Sequence, residues 1–322
     1  MRIVLHEVGP RDGLQAEKAI VDTGTKIRWI ERLIASGIDI VQLGSFVHPT
    51  KVPQMADTEV LFRWFQTPER KPRSTVLSAL VLNERGLERG LACGVDMFCM
   101  GVSASETHSL ENTGMTIDEA TTRILGMAAT AAREERGVQL SVQSAFGCGY
   151  EGRIDPARVL GLVRQFVEAG FTRISLADTA GFAHPAQVET LFGSIRQMDP
   201  ELELACHFHD TWGLAMANVW AALKSGVSYF ESSFAGLGGC PFTAITSGNV
   251  CTEDLVHLFH QTSLLPHVDL GPILEVSREA ETFLGRTLPG KLLRTGPMKV
   301  AEASASDSGV VEIALMRTDD GG

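Results

Sequence analysis

Eight short β-branched runs, each followed by a segment of helical period, constrain this chain more than any other feature. The strand candidates are Ile3–Glu7, Ile38–Leu43, Ser74–Leu80, Met97–Val102, Gln139–Ala145, Arg173–Ala177, Glu203–Phe208 and Tyr229–Phe234. Helix candidates lie near 24–36, 56–66, 83–92, 116–135, 155–168, 184–196, 213–224 and 252–262, with Pro156, Pro185 and Thr252-Glu253-Asp254 as start signals. A strand that returns through a helix pairs in parallel with its neighbour. Eight such units over about 250 residues predict an α/β protein of the (β/α)8 TIM-barrel type rather than an open doubly wound sheet. No G-x-G-x-x-G follows the first strand, which weakens a dinucleotide-binding reading. One further amphipathic helix at roughly 270–285 completes an expected domain of residues 1–285. Residues 286–322 are rich in Gly, Ser, Ala and Thr, with a strand-like Val310–Leu315, and are expected to form a tail that is either an appendage to the barrel or partly disordered.

Composition narrows the function. A formal charge of −11 over 322 residues argues against a nucleic-acid groove and against an anionic membrane surface, but not against a basic pocket for a small anion. The N-terminus enters a strand-like run at once, without a charged and then apolar leader, and no 18-residue apolar stretch occurs. The expectation is a cytoplasmic protein. Six scattered cysteines with no C-x-x-C pair fit free thiols in a reducing compartment better than disulfides or a structural zinc site.

A barrel draws its chemistry from the C-terminal ends of its strands and the loops that follow. After the first strand, Arg11 and Asp12 sit among glycines in Glu7-Val8-Gly9-Pro10-Arg11-Asp12-Gly13. They read either as a surface ion pair in a turn or as a cation and a metal-binding carboxylate at the barrel mouth. The seventh strand ends in His207-Phe208-His209-Asp210. Residues two apart on a strand share a face, so the imidazoles point together, and metal ligation is the favoured reading. The competing one is a hydrogen-bonded core pair with Asp210 orienting an imidazole N–H. Asp178, at the end of the sixth strand, is a turn cap or a catalytic carboxylate. Asp12, His207 and His209 form a mixed oxygen and nitrogen set. Without a thiolate pair, that set suits six-coordinate Mg2+ or Mn2+. A metal beside Arg11 suits a reaction that develops negative charge on a carbonyl oxygen.

The blocks EVGPRDGLQAE, SFVHPTKVPQM, SLADTAG, HFHDTWGLAMAN and SSFAGLGGCPF…SGNVCTEDL, spread in order over about residues 3 to 262, resemble 3-hydroxy-3-methylglutaryl-CoA lyase and its relatives in the DRE-TIM metallolyase superfamily. AGLGGCP followed by SGN-x-x-TEDL is the most specific part. The resemblance implies a (β/α)8 barrel that cleaves a carbon–carbon bond in a 3-hydroxyacyl-CoA to give acetyl-CoA and a keto acid. It implies metal ligands at Asp12, His207, His209 and Asn249, an enolate-stabilising Arg11, proton handling by Asp178, and a catalytic thiol at Cys240 on a mobile loop. Gln15, Gln42 and Ser105 are the candidates for substrate contacts. The expected partner is an acyl-CoA, and the expected assembly is a homodimer or higher homo-oligomer.

Two departures stand out. The lyases carry a glutamate, close to the reactive arginine, where this chain has Gln42. The segment Thr107–Asn112 lacks the lysines common there. The metal set is untouched, but the identity of the acyl-CoA is opened: citramalyl-CoA, giving pyruvate, or a longer branched 3-hydroxyglutaryl-CoA enters beside hydroxymethylglutaryl-CoA. The competing functions are a Claisen-type synthase joining acetyl-CoA to a 2-oxo acid, and a metal-binding barrel without turnover. Known synthases of this kind carry a different strand-8 block and a C-terminal regulatory domain.

Overall fold

The computed structural model describes residues 2–239 and 248–298 of the protein. Its strands are β1 (Val4–Glu7), β2 (Ile40–Ser45), β3 (Val76–Leu80), β4 (Met97–Ser103), β5 (Gly137–Gln143), β6 (Arg173–Ala177), β7 (Glu203–His207) and β8 (Tyr229–Ser232). They form a closed parallel barrel in sequence order, sealed where Val4–Glu7 pairs with Tyr229–Ser232. The (β/α)8 expectation is therefore met.

The helices are α1 (Thr23–Ala35), α2 (Thr58–Phe65), α3 (Glu84–Ala92), α4 (Glu106–Thr113), α5 (Ile117–Arg133), α6 (Pro156–Glu168), α7 (Pro185–Met198), α8 (Ala215–Lys224), α9 (Thr252–Gln261), α10 (Leu270–Leu284) and the short α11 (Leu292–Thr295). Their starts follow local chemistry. Pro156 and Pro185 open α6 and α7, where a missing N–H costs nothing. Asp22, Asn83 and Asp155 accept backbone N–H bonds at the starts of α1, α3 and α6. Thr116 and Glu119 form a reciprocal capping box at α5.

Outward-facing strand residues such as Leu5, Val41, Leu77, Phe98, Leu140, Ile174, Leu204 and Phe230 pack with the helices into one large core. Inside the barrel, a small apolar layer of Ile40, Met97 and Cys99 lies with Val4, Leu80 and Tyr229. Beyond that layer the interior turns polar: His6, Gln42, Ser78, Gln139 and His207 are all buried. Two packing requirements therefore meet in each strand, an apolar outer face and a polar inner end directed at the mouth.

Helix α4 had no counterpart in the sequence reading. Its sequence, ETHSLENT, has no apolar stripe, and its ends are set by the Ser105 hydroxyl and by Gly114 at φ 72°. After α10 the chain stays against the barrel, with Leu288 and Leu292 buried and the amides of Lys291 and Leu292 donating to Asp254. Residues 299–322, including Val310–Leu315, lie outside the described residues. Among the described residues, no helix is long and apolar enough to cross a membrane.

Candidate active site

Strand β1 runs into a single π-helical turn, Gly9–Gly13, in which the amides of Arg11 and Asp12 both donate to the carbonyl of Val8. Such turns recur at functional sites because they re-aim side chains that an α-turn would bury. The turn needs its glycines for close approach. A Cβ on Gly9 would lie 2.5 Å from the Phe234 ring, and one on Gly13 would lie 2.7 Å from the Ser233 hydroxyl. Arg11 and Asp12 form an ion pair, as the simpler sequence reading had it, but not at the surface: their side chains are 11% and 22% exposed. Arg11 also donates from Nε to the amide oxygen of Gln42 on β2, and its Nη2 makes no hydrogen bond among the described residues.

His207 and His209 extend from the end of β7 to the same side, with their Nε2 atoms 3.1 Å apart. Asp12 Oδ2 lies 3.9 Å from His207 Nε2, and one ligand atom from each of the three residues falls within 4.8 Å of the others. Two ligands at ~2.1 Å from a cation and at right angles to it stand ~3.0 Å apart, so the imidazole spacing fits a shared ion. Asn249 joins them. Its Nδ2 donates to Asp12 Oδ2 at 2.7 Å and to the Leu237 carbonyl at 3.0 Å, while its buried Oδ1 makes no hydrogen bond among the described residues. A carboxamide oxygen without a partner, beside a carboxylate and two imidazoles, is a donor set suited to a divalent cation.

Asn249 is placed by backbone. It bridges antiparallel to His209, the amide of Asp210 donates to Gly248 O at 3.0 Å, and the amide of Val250 donates to Phe208 O at 3.1 Å. Gly238, at φ 124°, passes so close that a Cβ there would sit 2.6 Å from Asn249 Nδ2.

The electrostatics of the cluster follow from burial and near charges. Burial works against the Asp12 carboxylate, but Arg11 and the two imidazoles outweigh it and hold the carboxyl well below its usual range. Burial, aided by the charge on His207, lowers His209 to about 4, which leaves its imidazole neutral at pH 7. Burial also opposes charge on His207, yet Glu231 and Asp12 turn the net shift upward. Asp178 follows β6 and is buried. Its amide donates to the carbonyl of His207 at 2.8 Å, and Oδ2 accepts from the amide of Ala183 at 3.2 Å. Its Oδ1 has no partner among the described residues, and burial raises the carboxyl to about 7.

The remaining candidates separate. Gln42 is at the cluster, against Arg11. Gln15 lies just past the π-turn, with its Oε1 buried and without a partner among the described residues. Ser105 has a structural employment: its hydroxyl accepts from the amide of His108 at 3.1 Å and caps α4. Asp210 accepts from the amide of Ala215 at the start of α8 at 3.0 Å, and the hydrogen bond at His207 Nδ1 is made with Glu231. Cys240 lies outside the described residues.

Three residues escaped the sequence reading. Glu231 on β8 accepts from His207 Nδ1 at 2.9 Å. His6 on β1 bonds Ser78 through Nε2 at 2.8 Å, and burial lowers it to about 4. Glu7, fully buried, accepts from the amides of Gly9 at 2.6 Å and Phe234 at 3.1 Å and from the Thr252 hydroxyl at 2.6 Å, with burial raising it to about 8. It joins the turn that carries Arg11 and Asp12 to the segment after β8. The available signal was the strand alternation: His6, His207 and Glu231 all take the inward parity on their strands.

With this geometry established, comparison with known proteins is informative. The HMGL-like family model matches residues 2–279. A hydroxymethylglutaryl-CoA lyase from Bacillus subtilis is 35% identical over 293 residues, covering 91% of this chain and 97% of its own. An (R)-citramalyl-CoA lyase from Chloroflexus aurantiacus is 33% identical over 302 residues, covering 92% of this chain and 95% of its own. The structure of an HMG-CoA lyase from Acinetobacter baumannii, in complex with coenzyme A and 3-methylmalate, aligns with a TM-score of 0.86 at 33% identity, covering 94% of this chain and 98% of its own. A family match over most of the chain, on a barrel with this mouth, leads to one assignment: the chain belongs to the HMGL-like family and is a carbon–carbon lyase.

Proposed function

We propose that this protein is a divalent-metal-dependent acyl-CoA lyase that cleaves a 3-hydroxyacyl-CoA, in a retro-Claisen reaction, to acetyl-CoA and a keto acid. The observation that carries the proposal is the convergence of Asp12, His207, His209 and Asn249 beside Arg11 at the barrel mouth. Those four residues would hold Mg2+ or Mn2+. Such an ion, when bound, supplies Lewis acidity toward the substrate's oxygens.

The chain's own residues account for the rest. Arg11 is fixed by Gln42 and Asp12, which leaves Nη2 to bind the thioester oxygen on which enolate charge develops. A donor held in place before reaction does not reorganise during it. Cleavage needs a proton removed from the 3-hydroxyl and a proton delivered to the enolate carbon. Asp178, through Oδ1, and Cys240 serve these two transfers. The barrel of residues 1–285 is the catalytic domain in this reading. The five described cysteines are buried and unpaired, which supports a reducing, cytoplasmic setting.

Gln42 bears on the substrate. An amide oxygen satisfies Arg11 Nε without neutralising the guanidinium, so more positive charge is left for an anionic substrate than a carboxylate at this position would leave. Hydroxymethylglutaryl-CoA is the parent substrate of the proposal, with citramalyl-CoA as the second reading. The test is product identification: purified protein with Mg2+ or Mn2+ is incubated with each acyl-CoA, and acetyl-CoA, acetoacetate and pyruvate are measured. Acetoacetate or pyruvate appearing in step with acetyl-CoA supports the lyase and names the substrate. No acetyl-CoA from any member of the panel, with metal bound, overturns it.

A further inference from the structure

Below the metal-ligand cluster, the carboxylate of Glu231 lies inside the barrel and has no place in the reaction described above. It sits on β8 in register with His207 on the neighbouring β7, and both side chains turn inward. Its side chain is 9% exposed, so water does little to screen or solvate it. Oε2 lies 2.9 Å from His207 Nδ1, and Oε1 accepts from Gln139 Nε2 at 2.5 Å. The other near imidazole, His6, is 3.8 Å away at Nδ1 and is already bonded to Ser78 through Nε2. Glu231 is therefore clamped between Gln139 on β5 and His207, on the side of the imidazole away from Asp12 and His209.

We infer that Glu231 is a positioning residue for the metal site, fixing the ring and tautomer of His207, with Gln139 fixing Glu231 in turn. A carboxylate that accepts from Nδ1 keeps the proton on that nitrogen and leaves the Nε2 lone pair free. Nε2 is the atom that faces His209 Nε2 at 3.1 Å and Asp12 Oδ2 at 3.9 Å. Two imidazole nitrogens at that spacing share at most one proton, so a donor tautomer imposed on His207 from behind decides which lone pair is available. The carboxylate also makes the ring more basic and a stronger ligand. This assignment rests on the reading of His207 as a metal ligand.

The test uses the full chain, stripped with a chelator and titrated with Mn2+ while free Mn2+ is followed by EPR. Thermal melting of the metal-free proteins is recorded alongside. Glu231→Gln keeps the shape and removes the charge. The expected result is an Mn2+ Kd weakened by ~10–100-fold with the metal-free melting temperature unchanged. Gln139→Leu leaves His207 and Glu231 in place but removes the clamp, and should weaken Mn2+ binding in the same direction by less. An unchanged Kd in Glu231→Gln overturns the inference, as does a lowered melting temperature with an unchanged Kd, which would make Glu231 a packing residue only. If Glu231→Gln does not fold, Gln139→Leu decides on the same two readouts. His207→Ala separates the two levels: tight Mn2+ binding in that variant defeats the ligand assignment itself. Lost binding there beside unchanged binding in Glu231→Gln defeats only the role of Glu231.

Discussion

The barrel has an arginine with carboxylate company at each end, and the two ends are built on opposite principles. At the floor, where β6, β7 and β8 begin, Arg173 donates to Glu203 at 2.8 Å and to the Tyr229 hydroxyl at 3.2 Å. Tyr229 in turn donates to Glu203 at 2.9 Å, and the guanidinium lies 4.7 Å over the Tyr229 ring. Each polar group there completes another. At the mouth, Arg11 and Asp12 are paired as well, yet Asn249 Oδ1, Asp178 Oδ1 and Gln15 Oε1 are buried with no partner among the described residues. Buried polar atoms are costly to leave without partners, by about 1–3 kcal/mol each, so such a collection needs a reason. The floor is a closed structural cluster and the mouth is an open one. An arginine–carboxylate pair by itself does not mark a catalytic site; what sets this candidate apart from the floor cluster is the group of unpartnered polar atoms beside it.

Substitutions at the two ends should therefore fail in different ways. Asp178→Asn removes a titrating oxygen and should lower turnover by about 100- to 10,000-fold with little change in melting temperature. Loss of folding in place of turnover would move Asp178 to the structural side. Gln42→Glu places a carboxylate against Arg11 and should raise turnover of hydroxymethylglutaryl-CoA relative to citramalyl-CoA by about tenfold. An unchanged ratio, with metal still bound, would place specificity elsewhere. Arg173→Met at the floor should cost about 1–2 kcal/mol of stability while kcat/KM stays within a factor of two. A large loss of activity would erase the distinction between the ends. Ser105→Ala is the mildest, about 1 kcal/mol from the lost cap on α4. A raised KM at unchanged stability would instead show that this hydroxyl meets substrate.

How much of this the sequence carried depends on the range of the signal. The barrel was legible because strand–helix alternation is local and repeated eight times, and strand edges shifted by only a few residues, as in β2 (Ile40–Ser45) against Ile38–Leu43. The His207/His209 pair was legible because a two-residue spacing fixes a shared face. Asn249 was reached only through the resemblance: its place beside Asp12 depends on a backbone bridge to His209 and on the close pass of Gly238. Strand parity turns Glu231 inward but gives it no partner. Within Tyr-Phe-Glu-Ser it looks like an ordinary polar strand residue, and only the register of β7 with β8 sets it against His207. Helix α4 was lost for the opposite reason, since its caps are specific but its faces are not.

The most direct test of the open mouth is turnover before and after removal of divalent metal. Acetyl-CoA release from the best 3-hydroxyacyl-CoA should vanish in chelator-treated protein, return with Mn2+ or Mg2+, and fail to return in His207→Ala. Full turnover in chelated protein, or in His207→Ala, would contradict the assignment of Asp12, His207, His209 and Asn249 as the metal centre of this lyase.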